Sequence, residues 1–244
     1  MRILIIFVLA CVVLLSAAGQ HADAIGVTPL VLELRSGSEN RSAQIVVNND
    51  SAADTPVELT IFRVELDESG QQNNTPASSD FIVFPPMRLI PPHGKQVFKI
   101  QWAGAALAKS QTYSFFVRQP HVKMPDTQSG VQIDFQFQVI VNVAPPSGKR
   151  TLDLRSSSVM AANGKRYASL LIGNSGNIHA FLGDASVTLR SGSWSQTLLP
   201  GDIQRIIGLG TVQPGKNRRF TIPVELPAAA TSVTAEITYS QASH

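Results

Sequence analysis

The sequence predicts an all-β protein: two immunoglobulin-like β-sandwich domains in a bent, two-lobed arrangement. Three observations carry the prediction. Nearly every segment is a short apolar alternation closed by a Gly, Pro, Asn or Asp cluster; no stretch of ten residues keeps a helical period; and Pro145-Pro146-Ser147-Gly148 breaks the chain past its midpoint. Period-two alternation marks strands because successive side chains of an extended backbone point to opposite faces. Short strands separated by turn residues are the pattern of antiparallel sandwiches.

The chain opens with Arg2, an apolar run from Ile3 to Leu15, and Ala22-Asp23-Ala24. These are the three parts of a secretory signal peptide, so residues 1–24 are expected to be removed and the mature chain to begin near Ile25. The apolar run is shorter than the ~20 residues that span a bilayer, which argues against a membrane anchor and for an exported protein without direct membrane insertion. A lipoprotein-type cut at Cys11 would leave Val12 to Ala18 as an exposed apolar tail. Cleavage after Ala24 removes Cys11, the single cysteine, so each domain must be held by its core without a disulfide.

Residues 25–145 form the first predicted domain. Its strands are expected at Val27 to Leu34, Ala43 to Asn48, Val57 to Leu66, Phe81 to Phe84, Gln96 to Trp102, Thr112 to Gln119 and Val131 to Val143. Seven strands in this length match one immunoglobulin-like sandwich. The polar tract Asp67 to Asp80 reads as a long solvated hairpin loop, and 103–109 as one helical turn. Paired prolines then stop the last strand, since proline has no N–H for a ladder. Residues 146–244 read as a smaller sandwich. Its strands are expected at Thr151 to Leu154, Tyr167 to Asn174, Ala185 to Arg190, Ser195 to Leu199, Arg219 to Glu225 and Ser232 to Ser240.

The strand Val131 to Val143 is the most informative segment. All of its odd positions are apolar, Val131, Ile133, Phe135, Phe137, Val139, Val141 and Val143, and its even positions are polar except Ile140. At ~3.3 Å per residue it reaches roughly 40 Å, against about five or six residues for an ordinary strand. Two readings stand: a long core strand, or a strand whose apolar row is partly offered to another protein.

Residue chemistry points away from catalysis. No G-x-S-x-G elbow occurs, and Gly173-Asn174-Ser175-Gly176-Asn177 reads as a turn. His93, His121, His179 and His244 never sit at metal-ligand spacing, and Gly208, Gly210 and Gly215 do not spell a phosphate loop. No enzyme, cofactor or metal is therefore expected, although a site assembled from distant loops stays open. Residues 25–145 carry 9 Lys and Arg against 11 Asp and Glu, and residues 146–244 carry 10 against 5. The basic residues are scattered in pairs without interleaved aromatics, which does not make a nucleic-acid surface.

The order and spacing of several segments carry a family resemblance. They are Phe84-Pro-Pro-Met-Arg-Leu-Ile-Pro-Pro92 followed by His93 to Ile100, the strand Tyr113 to Pro120, the strand Val131 to Val143, and Ile172 to Ala180. Over nearly all of the mature chain the sequence resembles the periplasmic pilus (fimbrial) chaperones of the chaperone-usher pathway. The resemblance implies a periplasmic chaperone that binds and stabilises pilus subunits by donor-strand complementation and delivers them to an outer-membrane usher. In that mode the last strand of the first domain fills the open groove of an incomplete subunit with alternate side chains. By position, Val131, Ile133 and Phe135 resemble the lent residues, with Phe137 a fourth, leaving Val139, Val141 and Val143 to the chaperone's own core.

Four such side chains would contribute roughly 6 to 12 kcal/mol, against association costs on the order of 4 to 15. A main-chain ladder must therefore add the remainder. The best-known branch clamps the subunit's terminal carboxylate with an arginine and a lysine. The matching positions here are Leu30 and Ile140, neither of which can do so, and the chain is more similar to the archaic branch. Arg88 or Arg118 is the candidate carboxylate anchor, because a guanidinium donates a two-pronged bond; Arg118 is equally readable as a structural partner within the cleft. The alternative is an adhesin or pilus structural subunit built of two β-sandwiches, but residues 25–27 leave no room for an N-terminal donor extension.

Overall fold

The computed structural model describes residues 25–37, 39–120 and 135–239. The expected signal peptide, and Val131 and Ile133 of the long strand, lie outside the described residues. The first domain contains β1 (Ile25–Thr28), β2 (Val31–Arg35), β3 (Ser42–Asn49), β4 (Thr55–Leu66), β5 (Gln72–Pro76), β6 (Phe81–Phe84), β7 (Met87–Ile90), β8 (Lys95–Trp102), β9 (Gln111–Arg118) and β10 (Gln136–Ala144). One sheet runs β1-β3-β8-β6; the other runs β2-β10-β9-β4-β5, with β7 also on β4. All of these pairs are antiparallel except β10 with β2.

The inward residues of both sheets close one core, including Ile45, Val47, Phe98, Ile100, Phe115 and Val141, each with no exposed surface. Phe81 is at its centre. Its ring meets Tyr113 and Phe115 edge-on at 4.9 Å and Trp102 at 5.3 Å, the T-shaped geometry that aromatic quadrupoles favour. Burial and the Asp80 carboxylate hold the Tyr113 hydroxyl far above the usual phenol range, so it donates to Asp80 Oδ2 at 2.8 Å.

The second half forms its own core around Leu170, Ile172, Leu182, Val187, Leu189 and Ile203. Its elements are β11 (Leu152–Ala162), β12 (Lys165–Asn174), β13 (Ala180–Phe181), β14 (Ala185–Ser191), β15 (Trp194–Leu198), helix α1 (Pro200–Ile207), β16 (Thr211–Val212), β17 (Asn217–Glu225) and β18 (Thr234–Tyr239). The sheets are β11-β12-β17, β15-β14-β18 and the short pair β13-β16. Asn163 and Gly164, at φ 51° and 74°, form the two-residue turn between β11 and β12, where both positions need a left-handed backbone.

Several expectations are corrected. The single strand expected over Val27 to Leu34 is two strands in different sheets, because Pro29 has no N–H to continue a ladder and the chain changes sheets there. The tract Asp67 to Asp80 is not one loop: Gln72–Pro76 pairs with β4 from Leu66 to Phe62. All five residues of β5 are exposed, so no apolar alternation announces it. Residues 103–109 form bends without a helical turn. The first strand of the second domain runs on to Ala162, with a bulge at Arg155. β7 and α1 were not expected. The helix has Pro200 in its first turn, Asp202 accepting the Leu199 N–H at 3.2 Å, and Ile203 buried.

Candidate functional site

β10 joins the two halves and is where the edge chemistry lies. Along β9 its pairing is continuous, from Gln136 opposite Arg118 to Val143 opposite Gln111. Along β2 it begins only at Ile140 opposite Val31, where the Ile140 N–H donates to the Leu30 carbonyl at 2.9 Å. In an extended strand the N–H and C=O of every second residue point to the same side. Gln138 and Gln136 therefore direct their main-chain groups past Leu30 to an edge that, among the described residues, no strand covers. The chain arrives at that edge from Pro29, which explains why β2 starts late.

The side chains of β10 grade along its length. Val143, Val141 and Val139 are fully buried, and Phe137 is partly buried against the same core. Phe135 is partly exposed and does not join that core. On the opposite face Gln138 Nε2 donates to Gln72 Oε1 at 3.0 Å and Ser114 Oγ at 2.6 Å, and Asn142 Nδ2 donates to Glu33 Oε1 at 2.9 Å. The alternation thus places the apolar row inward and a hydrogen-bonded polar row outward.

The two candidate anchors are on opposite faces of this sheet. Met87, Glu58, Arg118 and Gln136 are cross-strand neighbours in one row, so they share the outer face. Arg118 Nε donates to Glu58 Oε1 at 2.8 Å. Arg88 is opposite Val57, a core-facing residue, and stands exposed at the sheet's margin. The structure therefore separates Arg88 from Arg118, and it brings Leu30 and Ile140 together through the main chain.

A second feature, not foreseen in the sequence, ties the domains to each other. His179 is fully buried, and its Nε2 is 2.7 Å from Glu33 Oε2. Its N–H donates to Ser110 Oγ at 3.1 Å, and its carbonyl accepts from Arg150 Nε at 3.1 Å. On the other flank Gln213, also buried, donates from Nε2 to the Val64 carbonyl at 2.8 Å and accepts the Leu66 N–H at 2.9 Å. This side-chain amide stands in for a strand partner of β4. Beside it Arg219 grips Glu68 with main chain and guanidinium, at 2.7 and 2.6 Å. Glu33 and His179, Val64 and Gln213, and Glu68 and Arg219 are each about 150 residues apart in the chain, so no local spacing could announce them.

The Phe-Pro-Pro-Met segment exposes a run of apolar side chains. Ile82 and Phe84 leave the outer face of the first sheet, Phe84 with 70% of its surface exposed, and Met87 and Leu89 leave the outer face of the second. Among the described residues no helix is long and apolar enough to cross a membrane, and no His, Cys, Asp and Glu side chains group in metal-ligand geometry.

The described residues thus form two β-sandwiches, and the first ends in a strand whose edge at Gln136 and Gln138 no other described strand covers. This chain belongs to the family of pili and flagellar-assembly chaperones: residues 25–148 match the PapD N-terminal domain. Its fold is similar to the class 5 fimbriae chaperone CfaA, at 13% identity over 91% of this chain and 95% of that one, TM-score 0.58. It is also similar to a chain of the CsuC–CsuE chaperone–tip adhesion subunit pre-assembly complex from the archaic chaperone-usher Csu pili of Acinetobacter baumannii, at 16% identity over 82% and 90%, TM-score 0.52. A chain of the Salmonella enterica SafA pilin–SafB chaperone complex matches at 10% identity over 91% and 99%, TM-score 0.51. Comparison with curated proteins finds no match. Family membership does not favour the two-sandwich adhesin or pilus subunit.

Proposed function

We propose that the protein is a non-enzymatic periplasmic chaperone that lends β10 and the residues before it to an incomplete pilus subunit, then passes the subunit to an outer-membrane usher. The observation that carries this reading is the open edge at Gln136 and Gln138. Main-chain donors and acceptors at a sheet edge recruit a strand, and Phe135, in the same alternation as Phe137 and Val139, stands outside the chaperone's own core. Val131, Ile133 and Phe135 are the side chains proposed to fill the subunit's groove. Phe137, half in the core already, is shared between the two.

Arg118 is the better placed of the two candidate anchors, since it is on the row that ends at Gln136. Its bond to Glu58 would be exchanged for one to a subunit carboxylate, a replacement of like for like. Similarity to structures holding a pilin or a tip subunit is consistent with the pilus subunit as partner. Co-expression of Phe135→Asp with a cognate subunit tests the reading. Subunit capture is expected to fall to background with the chaperone still folded, and undiminished capture would refute the donor assignment.

A further inference from the structure

We propose that the cavity between the two domains binds a small multivalent oxyanion, a phosphate or a polycarboxylate. The cavity has a volume of about 570 Å³. Its walls come from β4 at 63–65, from 107–112 leading into β9, and from the 213–216 turn of the second domain. Three cations line it, Arg63, Lys109 and Lys216, against one carboxylate, Glu65. Glu65 is already 3.4 Å from Lys216 Nζ. Among the described residues neither Arg63 nor Lys109 has a carboxylate oxygen within 4 Å.

Lys109 belongs to the first domain, yet its Nζ comes within 3.5 Å of the point where a Cβ on Gly215 would stand. The turn it reaches carries Lys216. Two ammonium groups thus line one space from opposite sides of the domain boundary; both lysines are exposed, so their mutual repulsion is modest and screened by salt. A ligand with several negative oxygens would replace that repulsion by charge-assisted hydrogen bonds. Ser110, buried in the same wall, accepts the His179 N–H and keeps its own O–H to donate. A single halide would neither fill this volume nor reach both domains.

Because the walls belong to both domains, occupancy is linked to their arrangement and stabilises it by mass action. The cavity is at the end of β4 and β9 remote from the open edge of β10, so the proposal stands apart from subunit capture.

Isothermal titration calorimetry of the mature chain with inorganic phosphate, and separately with citrate, tests it in buffers of matched ionic strength. Wild type is compared with Arg63→Gln, with Lys109→Gln, and with Lys99→Gln as an exposed control on β8. One saturable site is expected, with affinity lowered about tenfold or more by either cavity substitution and unchanged by the control. Circular dichroism and unfolding midpoints establish that each variant is folded, and the wild-type midpoint is expected to rise with ligand. Absence of saturable binding overturns the proposal. So does equal weakening by Lys99→Gln, which would mark general charge screening, or binding of an acidic peptide but of neither small anion.

Discussion

Alanine substitutions down one face of β10 should reverse their effect between Phe135 and Val139. Val139 and Val141 have no exposed surface, and truncating either removes two methyl groups and leaves a cavity among closely packed neighbours. At ~0.8 kcal/mol per group plus the cavity term, each should cost about 2 to 3 kcal/mol of stability. Phe137 is only partly buried against that core and should cost about 1 to 2 kcal/mol. Phe135 does not join the core, and its truncation should cost below about 0.5 kcal/mol, as at ordinary surface sites.

Capture of a pilus subunit should show the opposite order. Phe135→Ala should weaken it most per unit of stability lost, and Val141→Ala should leave it unchanged in whatever fraction is folded. Urea unfolding of the mature chain reads the first series, and co-purification with a subunit reads the second. If Phe135→Ala destabilised the chaperone as much as Val139→Ala, the apolar row would belong to one core throughout. Division of the strand between two proteins would then be refuted.

The domain junction makes two further predictions and the turn between β4 and β5 makes one. Gln213→Ala strips the β4 edge of its amide partner, leaving the Val64 carbonyl and Leu66 N–H unsatisfied; about 2 to 4 kcal/mol should be lost, with a change in domain arrangement visible in small-angle scattering. Glu33→Ala removes the acceptor shared by His179 and Asn142 and should cost about 1 to 3 kcal/mol in denaturant unfolding, while Glu33→Gln should recover part of it. The Ser69 hydroxyl, and after it the Gln71 N–H, hold the Asp67 carboxyl below its ordinary value. A depressed folded pKa means that the turn's stabilisation is complete above the ordinary carboxylate range and is lost as pH falls through the folded value. Amide exchange at Gln71 should therefore quicken only in acid, and in Asp67→Asn its pH dependence beyond the intrinsic rate should vanish.

The sequence by itself determined what depends on local period and punctuation. Alternation at 43–48, 96–102 and 112–119 placed β3, β8 and β9 to within a residue or two, and the run of odd apolar positions singled out β10. Elements with no apolar alternation were illegible. β5 is fully exposed and pairs with β4 through its main chain, β11 continues through serines, and α1 is too short for its period to rise above its neighbours.

Tertiary structure alone decided where β10 stops being core and becomes edge. That boundary depends on the point at which β2 begins to pair, which no residue of β10 encodes. It also decided that Arg118 and Arg88 leave opposite faces, and that Glu33 meets His179 and Gln213 meets β4 across the domain junction. Period is a property of neighbours in the chain, whereas an open edge, a shared row and a junction between domains are properties of segments that meet only after folding.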